Sequence, residues 1–226
     1  MDDRIRNFEK CIGYEFNSDT QIVRALTHPS YSGSNNYERL EFLGDAVIEL
    51  IISDHLFTNY NDFSEGMLTQ KRADIVCAKS LTNIARSIDL GRYIFLGKGE
   101  EQSGGREKPS ILENVLESVM GAVYLDGGYY AAQKVISGLF FNAIKNTMTK
   151  ATDNDYKSQL QELVQKTIKQ DINYFVSRQE GPPHNATFYV RLINGSDVVC
   201  EGVGSSKKEA EQNAAKYAIE NFDKLY

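Results

Sequence analysis

Apolar residues recur at spacings of three and four through the first two thirds of the chain. The runs 4–12, 20–27, 37–58, 65–89, 109–125 and 130–146 all carry this period, which predicts a nearly all-helical region. Between 97 and 108 the period is lost in a polar, glycine-rich stretch that reads as a loop. Asn146 to Asp155 is small and polar and reads as a linker, with 149–155 as its centre. Beyond it the texture changes. Ser158 to Ile168 is helical, while Ile172–Gln179, Thr187–Ile193 and Val198–Val203 alternate as strands separated by Gly-Pro-Pro and Asn-Gly-Ser turns. Ala210, Ala214, Tyr217, Ala218 and Phe222 then mark one face of a closing helix. The pattern predicts two domains: a mainly α domain over 1–148, and a small α+β domain over 156–226 with the order α-β-β-β-α.

Composition narrows this little. The chain has 226 residues, 41% hydrophobic and 25% charged, as expected of a soluble globular protein. No apolar run is long enough to span a membrane, and the acidic start Met1-Asp2-Asp3-Arg4 does not read as a signal peptide. Cys11, Cys77 and Cys200 lack metal-site spacing and read as buried free thiols of a reducing, cytoplasmic protein. Net charge is −6, with 16 basic against 20 acidic residues up to Lys150 and nine against eleven after it. Neither half has the bulk basic charge of a typical nucleic-acid binder, so any such partner must be held by local cations or by a metal.

The candidate chemistry lies in Glu38-Arg39-Leu40-Glu41-Phe42-Leu43-Gly44-Asp45. On a helix, Glu38, Glu41 and Asp45 share a stripe beside the apolar positions Leu40, Leu43, Val47 and Leu50. Like charges at this spacing repel, and oxygen-only ligands suit Mg²⁺ or Mn²⁺ rather than zinc. Asn114 and Glu117 form a second such pair, Glu117 lying among Leu116, Val119 and Met120. Pairing with Arg39, Lys71 or Arg72 is the plainer alternative. In the second domain, Ser206 and Glu209 make a capping box, yet the helix it opens begins with Lys207 and Lys208. Cations there oppose the helix dipole, which suits a phosphate-binding corner.

The octapeptide resembles the signature of bacterial ribonuclease III. Thr27-His28-Pro29-Ser30-Tyr31, Glu65-Gly66, Gln102-Ser103-Gly104-Gly105 and Tyr124-Leu125-Asp126-Gly127-Gly128 resemble further landmarks of that family, in family order. The α-β-β-β-α segment resembles a double-stranded-RNA-binding domain. The resemblance implies a metal-dependent endoribonuclease that cuts duplex RNA to 5′-phosphate and 3′-hydroxyl ends with short 3′ overhangs. Its implied roles are the processing of ribosomal precursor, messenger and transfer RNAs. It implies Mg²⁺, with Mn²⁺ substituting, held by Glu41, Asp45, Asn114 and Glu117, with Asp45 and Glu117 catalytic and Glu38 and Glu65 auxiliary. It implies RNA contacts by Ser158, Gln161, Glu162, His184, Asn185, Ser205, Ser206, Lys207, Lys208 and Gln212. It also implies a homodimer in which Phe42 enters the partner subunit.

One position departs from the family pattern: Asn114 stands where Asp is usual. An amide oxygen can ligate Mg²⁺ but carries no charge. Glu113 is rotated by about a hundred degrees from Asn114 on a helix and is not expected to substitute for it. Two alternatives therefore stand beside the nuclease: a double-stranded-RNA-binding dimer that cuts poorly, and an all-helical metal-dependent nucleotide pyrophosphohydrolase. A histidine-aspartate phosphohydrolase is disfavoured, because none of the three histidines is followed by Asp.

Overall fold

The structure is a computed structural model that describes residues 3–149, 156–182 and 186–226. It divides into two compact units, Met1–Met148 and Thr149–Tyr226. No helix among the described residues is long and apolar enough to cross a membrane.

The first unit is helical: α1 (Asp3–Ile12), α2 (Asp19–Ala25), α3 (Glu38–Asn59), α4 (Glu65–Val76), α5 (Ala78–Ser87), the short α6 (Lys98–Gln102) and α7 (Pro109–Thr149). Ser18 and Ser64 cap α2 and α4 by accepting from the Thr20 and Met67 amides. The core is built on α3 and α7. Leu40, Val47, Ile48, Ile51, Ile52 and Leu56 of α3 are buried, as are Leu112, Val115, Leu116, Val119 and Met120 of α7. Gly44 and Gly121 let these two helices cross in backbone contact. A Cβ on Gly44 would overlap the Glu117 carbonyl, and one on Gly121 the Leu40 carbonyl. Thus the glycine in the acidic octapeptide brings one set of acids to the other. The Ser118 hydroxyl, fully buried, donates to the Ala25 carbonyl at 2.7 Å and fixes α7 against the end of α2.

Four sequence expectations change here. The run 65–89 is two helices, because Cys77 is extended (φ −66°, ψ 153°) and starts α5; no glycine or proline signals this break. The stretch 97–108, read as a loop, contains the short helix α6, whereas the runs 109–125 and 130–146 are distinct as expected, separated within α7 where Gly128 takes φ 75°. Just before that break the Asp126 carboxylate accepts from the Tyr14 hydroxyl at 2.7 Å and the Asn17 amide at 3.0 Å. Leu50 is exposed, so the buried stripe of α3 continues through Ile48, Ile51 and Ile52 instead. The cysteines are free but not buried: Cys11 and Cys77 are exposed and Cys200 is half-buried. Cys11 lies off the buried Ile5-Phe8-Ile12 face of α1, and Cys77 lies at a helix junction.

The second unit comprises α8 (Tyr156–Thr167), β1 (Ile172–Glu180), β2 (Thr187–Asn194), β3 (Asp197–Gly204), α9 (Lys207–Glu220) and α10 (Phe222–Leu225). The strands form one antiparallel sheet in the order β1-β2-β3. Leu160, Val164, Ile172, Leu192, Ala214, Ala215 and Ala218 make its core. The alanines of α9 allow close packing: a Cβ on Gly202 of β3 would meet the Ala210 carbonyl and the Ala214 amide. The predicted α-β-β-β-α order is present, extended by α10.

Candidate active site and nucleic-acid interface

The acids of α3 and α7 meet beside the Gly44–Gly121 crossing. Glu41 is half-buried, and its carboxyl is pushed up by burial and then by the charges of Glu38, Glu113 and Asp45. Glu117 is affected most: burial, then Asp45, Glu113 and Glu41, raise it to about 8. Glu113 is raised by burial and by Asp45. Among the described residues, no ion pair involves Glu41, Asp45, Glu113 or Glu117. The lysine or arginine pairing that the sequence left open is therefore not formed at these four acids. Clustered carboxyls on an apolar support, lacking basic partners, match the donor set of a hard divalent cation. No group of three His, Cys, Asp or Glu residues among those described converges closely enough to enclose an ion.

Asn114 behaves differently from the acids. Tyr37, buried at the start of α3, has a phenol pushed up to about 12 by burial, a rise that the neighbouring Asn114 side chain opposes. The Tyr37 ring packs against His28 with centroids 5.6 Å apart. His28 belongs to a strap that ties the Thr27–Tyr31 landmark to the segment 95–97. Its amide donates to the Phe95 carbonyl at 3.0 Å, and the Ser30 hydroxyl accepts from the Gly97 amide at 3.0 Å. Burial lowers the His28 imidazole below its ordinary value. Tyr37 and His28 were not singled out as site residues in the sequence, because an aromatic at a helix start and a histidine before proline carry no chemistry without their neighbours.

Glu38 lies at the exposed edge of the cluster, where its charge acts on Glu41 and Tyr37. Glu65 is not brought there. Its carboxylate accepts from the Thr69 hydroxyl at 3.0 Å, and it lines a separate groove with Ser53, Phe57 and Arg72. Phe42 is 83% exposed and so is not a core residue of its own protomer; a groove of about 510 Å³ beside it includes Gln21, Arg24, Leu43 and Leu125.

In the second unit, Ser206 caps α9 by accepting from the Glu209 amide, while the Glu209 carboxylate accepts from the Ser205 amide at 2.8 Å and from its hydroxyl. Hydrogen bonds from Ser205 hold the Glu209 carboxyl below its ordinary value. Lys207 and Lys208 stay exposed and, among the described residues, form no ion pair. Ser158, Gln161 and Glu162 are half-buried on one face of α8. Gln212 has a structural bond, accepting from the Lys157 amide at 3.1 Å. His184 and Asn185 lie outside the described residues.

Comparison with known proteins matches this geometry to a family. A family model described as Ribonuclease-III-like matches residues 19–144, and a Double-stranded RNA binding motif matches residues 156–222. A protein named Ribonuclease 3 from Clostridium tetani is 44% identical over 223 residues, covering 97% of this chain and 95% of the relative. The chain belongs to the ribonuclease III family. A Ribonuclease 3 of Borreliella afzelii is similar, 43% identical over 98% of this chain and 93% of that protein. The nuclease domain of a Campylobacter jejuni ribonuclease III is 41% identical with a TM-score of 0.60, covering 61% of this chain and 96% of that one. That structure is described as flexible in a region involved in dimer formation. Family membership sets the pyrophosphohydrolase alternative aside.

The raised acids predict a pH dependence. Glu117 has a folded value of about 8 against an ordinary 4.5. The stability it contributes is complete below 4.5 and is lost as pH rises through about 8. Metal-free protein should therefore lose thermal stability between pH 5.5 and 8.5, approximately, relative to a Glu117→Gln variant whose amide does not ionise. Added Mg²⁺ should raise the unfolding midpoint more at the upper end than at the lower. A Mg²⁺ gain independent of pH would refute the assignment.

Proposed function

We propose that the chain is a cytoplasmic, homodimeric, metal-dependent endoribonuclease that cleaves double-stranded RNA in the maturation of ribosomal precursor and other structured RNAs. The observation that carries the reading is that Glu41, Asp45 and Glu117 lie within one another's electrostatic reach with no basic partner among the described residues, in a chain that also matches a double-stranded-RNA-binding motif. Asp45 and Glu117 are the assigned catalytic groups. With Glu41 and Asn114 they form the proposed cation site, and Glu38 is auxiliary at its rim. Glu65 has no place in the site of its own protomer.

Mg²⁺, or Mn²⁺ in its place, would acidify a water and offset the charge that develops at phosphorus. Glu41, Asp45 and Glu117 supply the fixed negative charge that holds it. Attack by water on phosphorus forms one P–O bond and breaks the bond to the 3′ oxygen, which takes up a proton. The products then carry 5′-phosphate and 3′-hydroxyl ends. Phe42 is proposed to enter the partner subunit, because an aromatic side chain 83% exposed beside a groove is suited to an isologous contact. Two sites across one duplex would give short 3′ overhangs.

The exposed Lys207 and Lys208, with Ser206 at the same helix start, are proposed to meet phosphates. Ser158, Gln161 and Glu162 of α8, together with His184 and Asn185, are proposed to read the minor groove by shape and 2′-hydroxyls. Ser205 and Gln212 have internal bonds in the free protein and rank below these.

The test is incubation of a long duplex RNA, and of either strand alone, with a titration of Mg²⁺ or Mn²⁺. Cutting of the duplex only, blocked by a chelator, with 5′-phosphate ends identified by sequencing, is expected. Tight duplex binding without cutting at any metal concentration would leave the RNA-binding dimer as the better reading.

A further inference from the structure

We propose that a polar pocket between α1 and the turn Leu90–Tyr93, apart from the acid cluster, binds the phosphoryl group of a small phosphorylated compound. Arg4, Asn7 and Cys11 lie at i, i+3 and i+7 of α1 and share one stripe, beside the Ile5-Phe8-Ile12 face that enters the core. Arg92 and Tyr93 line the pocket from the turn, and its volume is about 540 Å³. The walls are set without a ligand. The Arg4 guanidinium sits over the Phe95 ring, 4.9 Å from its centroid, a contact that restricts the side chain. The Arg106 guanidinium donates to the Gly91 and Ile94 carbonyls at 2.8 and 2.9 Å and so fixes the turn that carries Arg92. The Tyr93 ring is buried against Phe8 with centroids 5.0 Å apart.

The donor set decides the ligand. Two guanidiniums carry only N–H donors and a permanent charge. The Tyr93 hydroxyl and the Cys11 thiol are 3.4 Å apart; one proton lies between them and the other is left to donate outward. Asn7 adds an amide. Among the described residues no Asp or Glu lines the pocket, and Arg92 forms no ion pair. Such a set disfavours cations and suits an anion. Each guanidinium fork pairs with two oxygens. A tetrahedral phosphoryl group can meet forks from two walls at once, whereas a planar carboxylate fills one fork and leaves the other. The volume lies within the roughly 300–1,000 Å³ usual for small-molecule sites, which leaves room for a body attached to the phosphoryl group. The shared chemistry is the phosphoryl oxygens, carried by an inorganic phosphate or by a nucleotide.

The experiment is calorimetric titration of phosphate, pyrophosphate, AMP and malonate into the full-length protein, in chelator and at low salt, without RNA. The chelator keeps metal-bridged binding at the acid cluster out of the readout, so the result does not depend on the nuclease reading. It compares the parent with Arg92→Gln, Arg92→Lys and the double variant Lys207→Gln/Lys208→Gln, which removes the other proposed phosphate contact. Arg92 is exposed, so its variants should unfold at the parent's temperature. Saturable uptake of a phosphoryl compound at one site per chain is expected. Arg92→Gln should weaken it by roughly ten-fold to a hundred-fold, as for loss of hydrogen bonds to a charged group. Arg92→Lys, which keeps the charge and loses the fork, should fall between, and the double lysine variant should bind as the parent does. AMP tighter than pyrophosphate identifies a nucleotide; the reverse identifies an inorganic phosphate. If no phosphoryl compound binds at millimolar concentration, or if Arg92→Gln binds as the parent does, the inference falls. Malonate binding as tightly as the best phosphoryl compound would overturn the ligand class.

Discussion

Glu117→Gln is expected to abolish cleavage of duplex RNA while leaving duplex binding intact. The substitution keeps the shape of the side chain and removes the charge that holds the cation next to the scissile phosphate. The loss should be ~10³-fold or more, since a metal contributes several kcal/mol of transition-state stabilisation and ~1.4 kcal/mol is ten-fold in rate. Single-turnover cleavage reads that loss, and a gel-shift titration in chelator reads binding. A residual rate within about ten-fold of the parent, on the same free-energy scale, would remove Glu117 from the site. A second consequence distinguishes this residue from an ordinary structural acid. Its carboxyl is half-buried beside Asp45, Glu113 and Glu41 and is pushed to about 8, so at neutral pH without a cation folding must protonate a group that is ionised in the unfolded chain, which costs stability. The inactive variant should therefore be the more stable metal-free protein. A residue whose loss stabilises the fold and destroys activity is held in place by function.

Much of this was legible in the sequence, for identifiable reasons. The octapeptide sets three acids on one helix face and includes the glycine that allows the crossing, so α3 could be placed before any coordinates. The second domain was legible because period-two strands, Asn-Gly-Ser and a Ser206–Glu209 cap are local signals. What the sequence left out is tertiary. Asn114 and Glu113 differ by one position on the same helix, and only the packing of α3 on α7 decides that Tyr37 feels the one and that the other feels the charge of Asp45. The separation of Glu65 from the cluster has the same origin, since its place depends on how α4 leaves α3. The break at Cys77 and the exposure of Leu50 and Cys11 were missed because hydrophobic periodicity reports an apolar stripe and not which neighbours cover it.

Gly44→Ala is expected to damage both stability and catalysis, against its local propensity. In an exposed helix, alanine would be favoured over glycine by ~1 kcal/mol. At this crossing the added Cβ would overlap the Glu117 carbonyl oxygen and crowd the Gly121 amide, and these are backbone atoms that cannot rotate away. The helices must separate, at an overpacking cost of ~1–3 kcal/mol or more. For a domain of this size each kcal/mol lowers the midpoint by ~2–4 °C. Separation also carries Glu41 and Asp45 away from Glu117, and a displacement of ~1 Å in a catalytic group can cost ~10²-fold in rate. Gly138→Ala is the control. It is a helical, exposed glycine of the same α7, and a Cβ there would meet nothing within 4 Å. That variant should be as stable as the parent or more so, by up to ~1 kcal/mol, with cleavage unchanged. Thermal unfolding and single-turnover cleavage of the two variants give the comparison. If Gly44→Ala matched Gly138→Ala in both, the close crossing would not be what assembles the site, and the acids would have to be held together through the side-chain packing around Leu40, Val47 and Leu116 instead.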